Sequence, residues 1–249
     1  MFHVKQFAQL KQYCKENQIP FDQRISDCFS MFCDMLLETN KVMNLTAVTE
    51  PQEVELKHFI DSLAAYGIIK EHVQNQDPDQ RIRVLDIGSG AGFPGLPLAF
   101  VLPEADFVLA DSLNKRIGFI QSVIDRLDLS HVTALQGRAE DLGQGDDRES
   151  FDFCVSRAVA DMTVLLEYCL PMVKINGMAI LYKSSDYKTE LEQAGYALEV
   201  LGGEISEIRE FHLSDSDIGR SLIMIKKVRE TPAKYPRRAG KPSKSPLSC

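Results

Sequence analysis

Hydrophobic and polar positions follow two different rhythms along this chain, and the change falls near residue 80. Up to about residue 75 the apolar positions recur at helical spacing. Phe7, Leu10 and Tyr13 begin one stripe, and Ile25, Phe29, Phe32, Leu36 and Leu37 continue it after Pro20. Thr49 stands before Pro51 and Glu53 as the N-cap region of a further helix, and Ile60, Leu63, Ala64 and Ile68 form another apolar face. The polar segment from Asn75 to Asp79 marks a boundary. From Arg81 onward, short apolar runs alternate with helical stretches. Strands are predicted at Ile82–Ile87, Asp106–Ala110, Val132–Gln136, Phe151–Ser156 and Met178–Lys183, and helices at Pro94–Val101, Lys115–Leu127, Met162–Val173 and Tyr187–Ala194. Such alternation predicts βαβ units, hence an α/β fold around a mostly parallel sheet. Two further strand-like runs, Glu204–Phe211 and Ser221–Val228, predict a terminal antiparallel pair and a sheet of seven strands. The expected organisation is a helical subdomain over 1–78, a Rossmann-like domain over 79–230 and a tail over 231–249.

The first predicted strand runs into Gly88-Ser89-Gly90-Ala91-Gly92-Phe93-Pro94-Gly95. Strand, glycine turn and helix start form the arrangement that brings backbone close to a nucleotide. Gly88, Gly90 and Gly92 remove side chains that would block a ligand or forbid positive φ, and Pro94 suits a first helical turn. A dinucleotide fingerprint needs a third small residue at position 93, which is Phe93; a Walker loop needs Lys then Ser or Thr after its last glycine, where this chain has Leu96 and Pro97. With Asp86 beside the turn, an anion there is disfavoured. A ligand with ribose and a positive centre but no phosphate fits better, and S-adenosylmethionine is such a ligand.

Composition narrows the setting. With 249 residues, 44% of them hydrophobic, the chain can bury a substantial core. No run approaches the ~20 apolar residues of a membrane span, and Met1 to Lys11 lacks a signal-peptide core, so a cytoplasmic protein is expected. The six cysteines (Cys14, Cys28, Cys33, Cys154, Cys169 and Cys249) show no C-x-x-C pair or zinc-finger spacing. Free thiols and no metal are expected. The net charge of −8 hides an asymmetry, because after Glu230 there are only basic charges, at Lys234, Arg237, Arg238, Lys241 and Lys244. These five leave −13 on the preceding body. The proline-spaced tail reads either as a solubilising disordered end or as a phosphate-contacting arm that orders on RNA.

In an open parallel sheet the ligand crosses the carboxyl ends of the strands. After the second strand stand Asp111 and Ser112, where a carboxylate can accept ribose hydroxyls. After the third stand Gly137, Arg138, Ala139 and Glu140, where Glu140 could serve an adenine amino group and the Ala139 N–H a ring nitrogen. After the fourth stand Ser156, Arg157 and Ala158, facing the acceptor. Each has a structural alternative: Asp111 as a helix cap, Glu140 as a surface acid before the polar Gly143–Ser150 loop, Arg157 as an ion-pair partner. The terminal antiparallel pair suits a class I S-adenosylmethionine-dependent methyltransferase better than a dehydrogenase half.

The combined letters resemble the bacterial 16S ribosomal RNA guanine-N7 methyltransferases, the glucose-inhibited division protein B or small-subunit rRNA methyltransferase G family. The resemblance covers nearly the whole chain. It includes Asn44-Leu45-Thr46, Lys57 to Ser62, Leu85 to Leu98, Asp111-Ser112, Lys115-Arg116, Gly137 to Glu140, Ser156 to Ala158 and Tyr235 to Pro242 with Lys244. It implies S-adenosylmethionine contacts at Gly88, Gly90, Phe93, Asp111, Ser112, Leu113, Ala139, Glu140 and Arg157. It also implies a guanosine N7 of 16S rRNA or the small subunit as acceptor, with Lys57, His58, Arg138, Arg237, Arg238, Lys241 and Lys244 facing RNA. A monomer that binds neither membrane nor DNA is expected. Guanine N7 has an in-plane lone pair and no proton, so no catalytic base is named. Arg157 and Lys183, at the ends of strands four and five, are the candidates to touch guanine O6 or phosphate. The rival readings are a small-molecule methyltransferase and a non-enzymatic, cofactor-sensing RNA-binding or ribosome-assembly protein.

Overall fold

Apolar runs bounded by turns become strands, and five of them lie side by side in a computed structural model of the chain. The structure describes residues 7–75, 77, 80–157, 160–214 and 216–247. Before the sheet come α1 (Ala8–Glu16), α2 (Gln23–Met43), α3 (Pro51–Val54), a π-helical segment (Glu55–Ile60), α4 (Asp61–Leu63) and α5 (Tyr66–Gln74). The αβ region follows as β1 (Arg83–Ile87), α6 (Gly95–Val101), β2 (Asp106–Asp111), α7 (Asn114–Leu127), β3 (Val132–Gln136), α8 (Ala139–Leu142), β4 (Phe151–Arg157) and α9 (Met162–Cys169). It ends with β5 (Val173–Ser184), α10 (Tyr187–Gln193), α11 (Gly195–Leu201), β6 (Gly203–His212), β7 (Gly219–Lys227) and α12 (Lys241–Lys244). The sheet order is β3-β2-β1-β4-β5-β7-β6. β1 to β5 pair in parallel, and β7 inserts antiparallel between β5 and β6. The fold is the expected α/β sheet of seven mostly parallel strands. No helix among the described residues is long and apolar enough to cross a membrane.

Three local expectations are corrected. The helix expected to reach Val173 ends at Cys169, followed by a 3-10 turn (Leu170–Met172); Pro171 lacks the N–H that would continue the ladder, and β5 starts at Val173 instead. The N-cap of α3 is Glu50, not Thr49, with Pro51 in the first turn. A helix not expected, α11, occupies Gly195–Leu201, beneath which Ala197, Leu198 and Leu201 are buried.

The amino-terminal helices share one continuous apolar core with α6 and α7. Phe32 of α2 is the hub: its ring lies 5.1 Å from Phe93, 5.8 Å from Phe59 and Phe100, and 6.3 Å from Phe119. α1 has no side-chain cap of its own. The buried Glu55 of the π-helical segment supplies one from a distance, accepting the Leu10 N–H at 2.7 Å, which sets a carboxylate at a helix amino terminus.

Residues 231–247 are folded, correcting the expectation of either a disordered end or an arm that waits for RNA. The polar loop before β4 is their dock. Arg148 donates to the carbonyls of Thr231 (2.6 Å) and Tyr235 (2.6 Å), and Gln144 donates to Pro236 O at 2.9 Å. Beneath them the fully buried Lys227 donates to Glu149, Leu170 O and Thr231 Oγ1.

Candidate functional site

The chain runs outward from β1 to β2 and β3 on one side, and to β4 and β5 on the other. The connections leaving β1 and β4 therefore diverge at the carboxyl edge and open a crevice. A cavity of about 530 Å³ fills it, within the range of small-molecule sites.

The glycine turn forms the floor. Gly88, Gly90 and Gly92 have φ of 73°, 58° and 95°, and the N–H of Gly88 donates to Ala110 O at 2.8 Å, stitching the turn to β2. The close helix–strand approach that Phe93 cannot make is made by Gly95. A Cβ there would lie 2.7 Å from Leu109 Cγ and 2.8 Å from Asp86 Oδ2. Asp86, fully buried, accepts the Gly95 N–H through Oδ2 at 2.8 Å, while its Oδ1 has no hydrogen-bond partner. Burial pushes its carboxyl up to about 7, against the lowering pull of the Gly95 N–H and of Arg157.

Asp111 is 3% exposed. Its Oδ1 accepts the Leu113 N–H (2.9 Å), and its Oδ2 accepts the Gly90 N–H (3.0 Å) and Arg116 Nη1 (3.2 Å). It therefore joins the glycine turn to the β2–α7 turn and is not the N-cap of α7, a position held by Leu113. A carboxylate offers about four acceptor sites, so capacity remains for a hydroxyl in the cavity. On the β3 side, Glu140 is buried and accepts the Gly240 N–H at 2.8 Å.

On the β4 side, Arg157 is the junction. Its Nη1 donates to Asp61 Oδ2 (2.9 Å) and to Lys57 O (3.1 Å), its Nη2 lies 3.2 Å from His58 Nδ1, and its Cζ sits 5.1 Å above the Phe93 ring. Asp61, 3% exposed, also has Arg220 Nε at 3.3 Å. The His58 ring stacks on Phe93 at 4.5 Å and meets Thr46 Oγ1 through Nε2 at 2.8 Å. Burial first, and then the Arg157 cation, lowers His58 to about 3, so the ring is neutral at physiological pH. Asn40 fixes Thr46 by a two-way clamp, donating to Thr46 O and accepting its N–H, each at 2.9 Å.

Most residues singled out in the sequence meet at this cavity. Gly88, Gly90, Phe93, Asp111 and Ser112 border it on the β1 and β2 side; Arg138, Ala139 and Glu140 on the β3 side; His58 and Arg157 opposite. Others do not. Leu113 is half exposed and contributes its N–H to Asp111. The Lys57 side chain pairs with Glu53, and only its carbonyl reaches Arg157. Lys183, expected to reach the acceptor, instead donates to Ala160 O (2.9 Å) and Glu190 Oε2 (2.6 Å). Arg237, expected to face RNA, forms a buried ion pair with Glu167. Arg238, Lys241 and Lys244 are exposed on the tail. Ala158 and Cys249 lie outside the described residues.

Sequence reasoning missed Thr46, Tyr168, Gly240 and Ser243, which also border the cavity. One signal was available for the tail. Glu167 is an acid inside the apolar run Met162–Met172, and a fully buried carboxylate demands a partner.

A family model described as rRNA small subunit methyltransferase G matches residues 25–219. A ribosomal RNA small subunit methyltransferase G from Acetivibrio thermocellus is 48% identical over 231 residues, covering 92% of each chain. Another, from Lachnoclostridium phytofermentans, is 51% identical over 220 residues, covering 88% of each. Among solved structures, the CurJ carbon methyltransferase aligns with a TM-score of 0.56 at 11% identity, covering 89% of this chain and 70% of that one. The last likeness speaks to the fold alone.

Proposed function

The chain belongs to the rRNA small subunit methyltransferase G family, and from that premise we propose that it transfers a methyl group from S-adenosylmethionine to N7 of one guanosine in 16S rRNA. The protein acts in the cytoplasm, as a monomer, on RNA of the small ribosomal subunit. The observation that carries this reading is the meeting of Gly88–Phe93, Asp111, Glu140 and Arg157 around a single cavity at the reversal of the sheet.

The donor set suits an adenosine-bearing sulfonium better than a phosphate. The glycine turn has no lysine, and two buried carboxylates, Asp111 and Glu140, border the cavity. Asp111 would hold a ribose hydroxyl with its spare acceptor capacity. Ala139 and Glu140 would serve the adenine, while the glycine turn and Phe93 would lie along the rest of the ligand, with Arg157 at the acceptor end. S-adenosylmethionine supplies a methyl group on a positively charged sulfur, ready for in-line displacement.

Guanine N7 carries no proton, so no side chain has to accept one. A neutral His58 and the Arg157 guanidinium, which has only donors to offer, suit that requirement. Arg157 keeps N–H groups beyond those spent on Asp61, Lys57 O and His58, and these can donate to guanine O6, which lies beside N7 on the same base edge. A bidentate grip on both atoms would block the nucleophile, so Arg157 is assigned O6 alone. The Asp61 carboxylate balances the Arg157 charge as the purine becomes cationic. Phe93 and His58 wall off water and hold the base; orientation of this kind contributes on the order of 7–11 kcal/mol.

The test is transfer of tritium from methyl-labelled cofactor, with the modified base mapped in small-subunit RNA. One labelled guanosine N7 in 16S rRNA is expected, and Arg157→Ala should abolish it. Label in a small metabolite, or cofactor binding without any transfer, would overturn the proposal in favour of one of the rival readings.

A further inference from the structure

We propose that the tail, residues 231–247, is the outer wall of the cofactor pocket at its adenine end, and that Glu167 and Arg237 are the positioning pair that seats it. The inference rests on the cofactor reading above. Its first support is location: Gly240 and Ser243 border the same cavity as Asp111 and Glu140. They stand on the β3 side, opposite Arg157, where the adenine is assigned.

The tail reaches that position through a graded set of bonds. At its root, Lys227, Thr231 and Glu149 form a buried knot, with Thr231 N–H donating to Glu149 Oε1 at 2.7 Å. Arg148 and Gln144 then hold the carbonyls of residues 231–236. Backbone and proline approach closely there, since a Cβ on Gly143 would meet Pro236 Cγ at 2.8 Å. Next comes Arg237, whose backbone N–H (2.7 Å), Nε (2.9 Å) and Nη2 (2.6 Å) all donate to the Glu167 carboxylate. Three donors on one fully buried carboxylate fix both direction and register, which an ammonium on a flexible stem cannot reproduce. Three residues later, Gly240 adopts φ +77°, open to glycine at no steric cost, and aims its N–H at Glu140. Three further on, Ser243 Oγ lies 2.9 Å from Tyr168 OH. Glu167 and Tyr168 are consecutive on α9, so one helix turn holds the tail at two points and presents one of them, Tyr168, to the cavity.

A ligand that touches a wall favours the state in which the wall is seated, and a loosened wall weakens the ligand by the same factor. Arg237 is accordingly reassigned from phosphate contact to cofactor-site construction. The two assignments differ in a reaction mixture that contains no RNA.

The experiment has two arms. Binding of S-adenosylmethionine and S-adenosylhomocysteine is measured by calorimetry without RNA, for the unaltered chain, Arg237→Ala and Arg237→Lys. Hydrogen–deuterium exchange across 235–247 is followed in the unaltered chain with and without S-adenosylhomocysteine. Arg237→Ala should weaken both ligands by about tenfold or more, equivalent to about 1.4 kcal/mol. Arg237→Lys should fall between, and exchange at the tail should slow when ligand is present. Ligand affinity within twofold of the unaltered chain in both variants, with tail exchange indifferent to ligand, would overturn the proposal and return Arg237 to RNA. Should Arg237→Ala fail to fold, the exchange arm decides, because it needs no substitution. An unaltered chain that binds neither ligand would instead overturn the function itself.

Discussion

The cavity has two walls built on opposite physical plans. On the side assigned to the acceptor, the amino-terminal helices and Phe93 close it with packed rings: Phe32, Phe59, Phe93 and His58 stand within 6.2 Å of one another in successive pairs. On the side assigned to the adenine, the tail closes it chiefly through polar bonds, its carbonyls accepting from Arg148 and its N–H groups donating to two buried acids, Glu140 and Glu167, with Tyr235 and Leu247 as its buried apolar anchors. Burial of large apolar surface is non-directional and strong. Bonds from Arg148, Gln144 and Arg237 contribute less in net stability, because folding exchanges them for water, but they specify register. The first wall is therefore expected to be the rigid one, and the second the one whose seating responds to what lies in the cavity.

Substitutions can break this contrast, and the largest effect belongs to the aromatic wall. Phe32→Ala removes a fully buried ring from the hub and should cost about 3–5 kcal/mol in chemical unfolding. A loss below about 1 kcal/mol would mean that the helices do not depend on that core. Next comes Lys227→Met, which strips the buried partner from Glu149 and Thr231. It should cost about 3 kcal/mol, the low end for breaking a buried pair, because Glu149 keeps some access to water. The same variant should expose the tail to proteolysis while leaving residues 8–74 protected. Arg148→Ala, which frees carbonyls that water can reach, should cost about 1–2 kcal/mol and loosen the tail selectively. Equal loosening of both walls would erase the distinction.

The smallest effect is the net pH dependence of the native chain, because two groups of the site act with opposite sign. Folded His58 stays neutral down to about 3, whereas an unfolded histidine takes its proton near 6.5. The unfolded state thus binds more protons between those values, and this group makes stability rise with pH across that window. Folded Asp86 holds its proton up to about 7, against 3.8 in the unfolded chain. Its contribution is complete below 3.8 and is lost as pH rises through about 7. Each slope is at most about 1.4 kcal/mol per pH unit, and they oppose one another between about pH 4 and 6.5. The native chain should show a shallow profile there. His58→Gln should unmask a fall in stability with rising pH, and Asp86→Asn a rise. Parallel profiles in all three proteins, measured by denaturant unfolding from pH 4 to 8, would refute both assignments.

The two walls also differ in how far they could be read in advance. The helical stripe from Phe7 to Leu37 carries a period, and a period is a local property that survives without knowledge of partners. The same holds for six of the seven strands, whose bounds the alternation predicts to within two residues, while β5 begins five residues before Met178, and for Asp111 and Arg157, which end strands. The tail carries no period. Arg237 looked like phosphate chemistry because charge in a sequence has no direction, and its partner Glu167 lies 70 residues away in an apolar helix. Lys183 misled for the same reason: a strand end locates a backbone, but Glu190 decided where its ammonium points.

What the amino-acid sequence determined alone was the alternation of strands and helices after residue 80, the terminal strand pair, and the glycine turn after β1; the reversal of the sheet between β1 and β4 came from the tertiary structure. The first three follow from the spacing of apolar residues and from backbone angles available to glycine, both settled within a few residues of chain. Tertiary structure decided which polar groups face one another across long loops. It brought Asp61 under Arg157, neutralised His58 by burying it beside a cation, and laid the tail over Glu140. It also gave Gly95 the close approach that the sequence pattern seeks at position 93. Such pairings depend on desolvation and on distances between residues remote in sequence, and no local pattern carries that information.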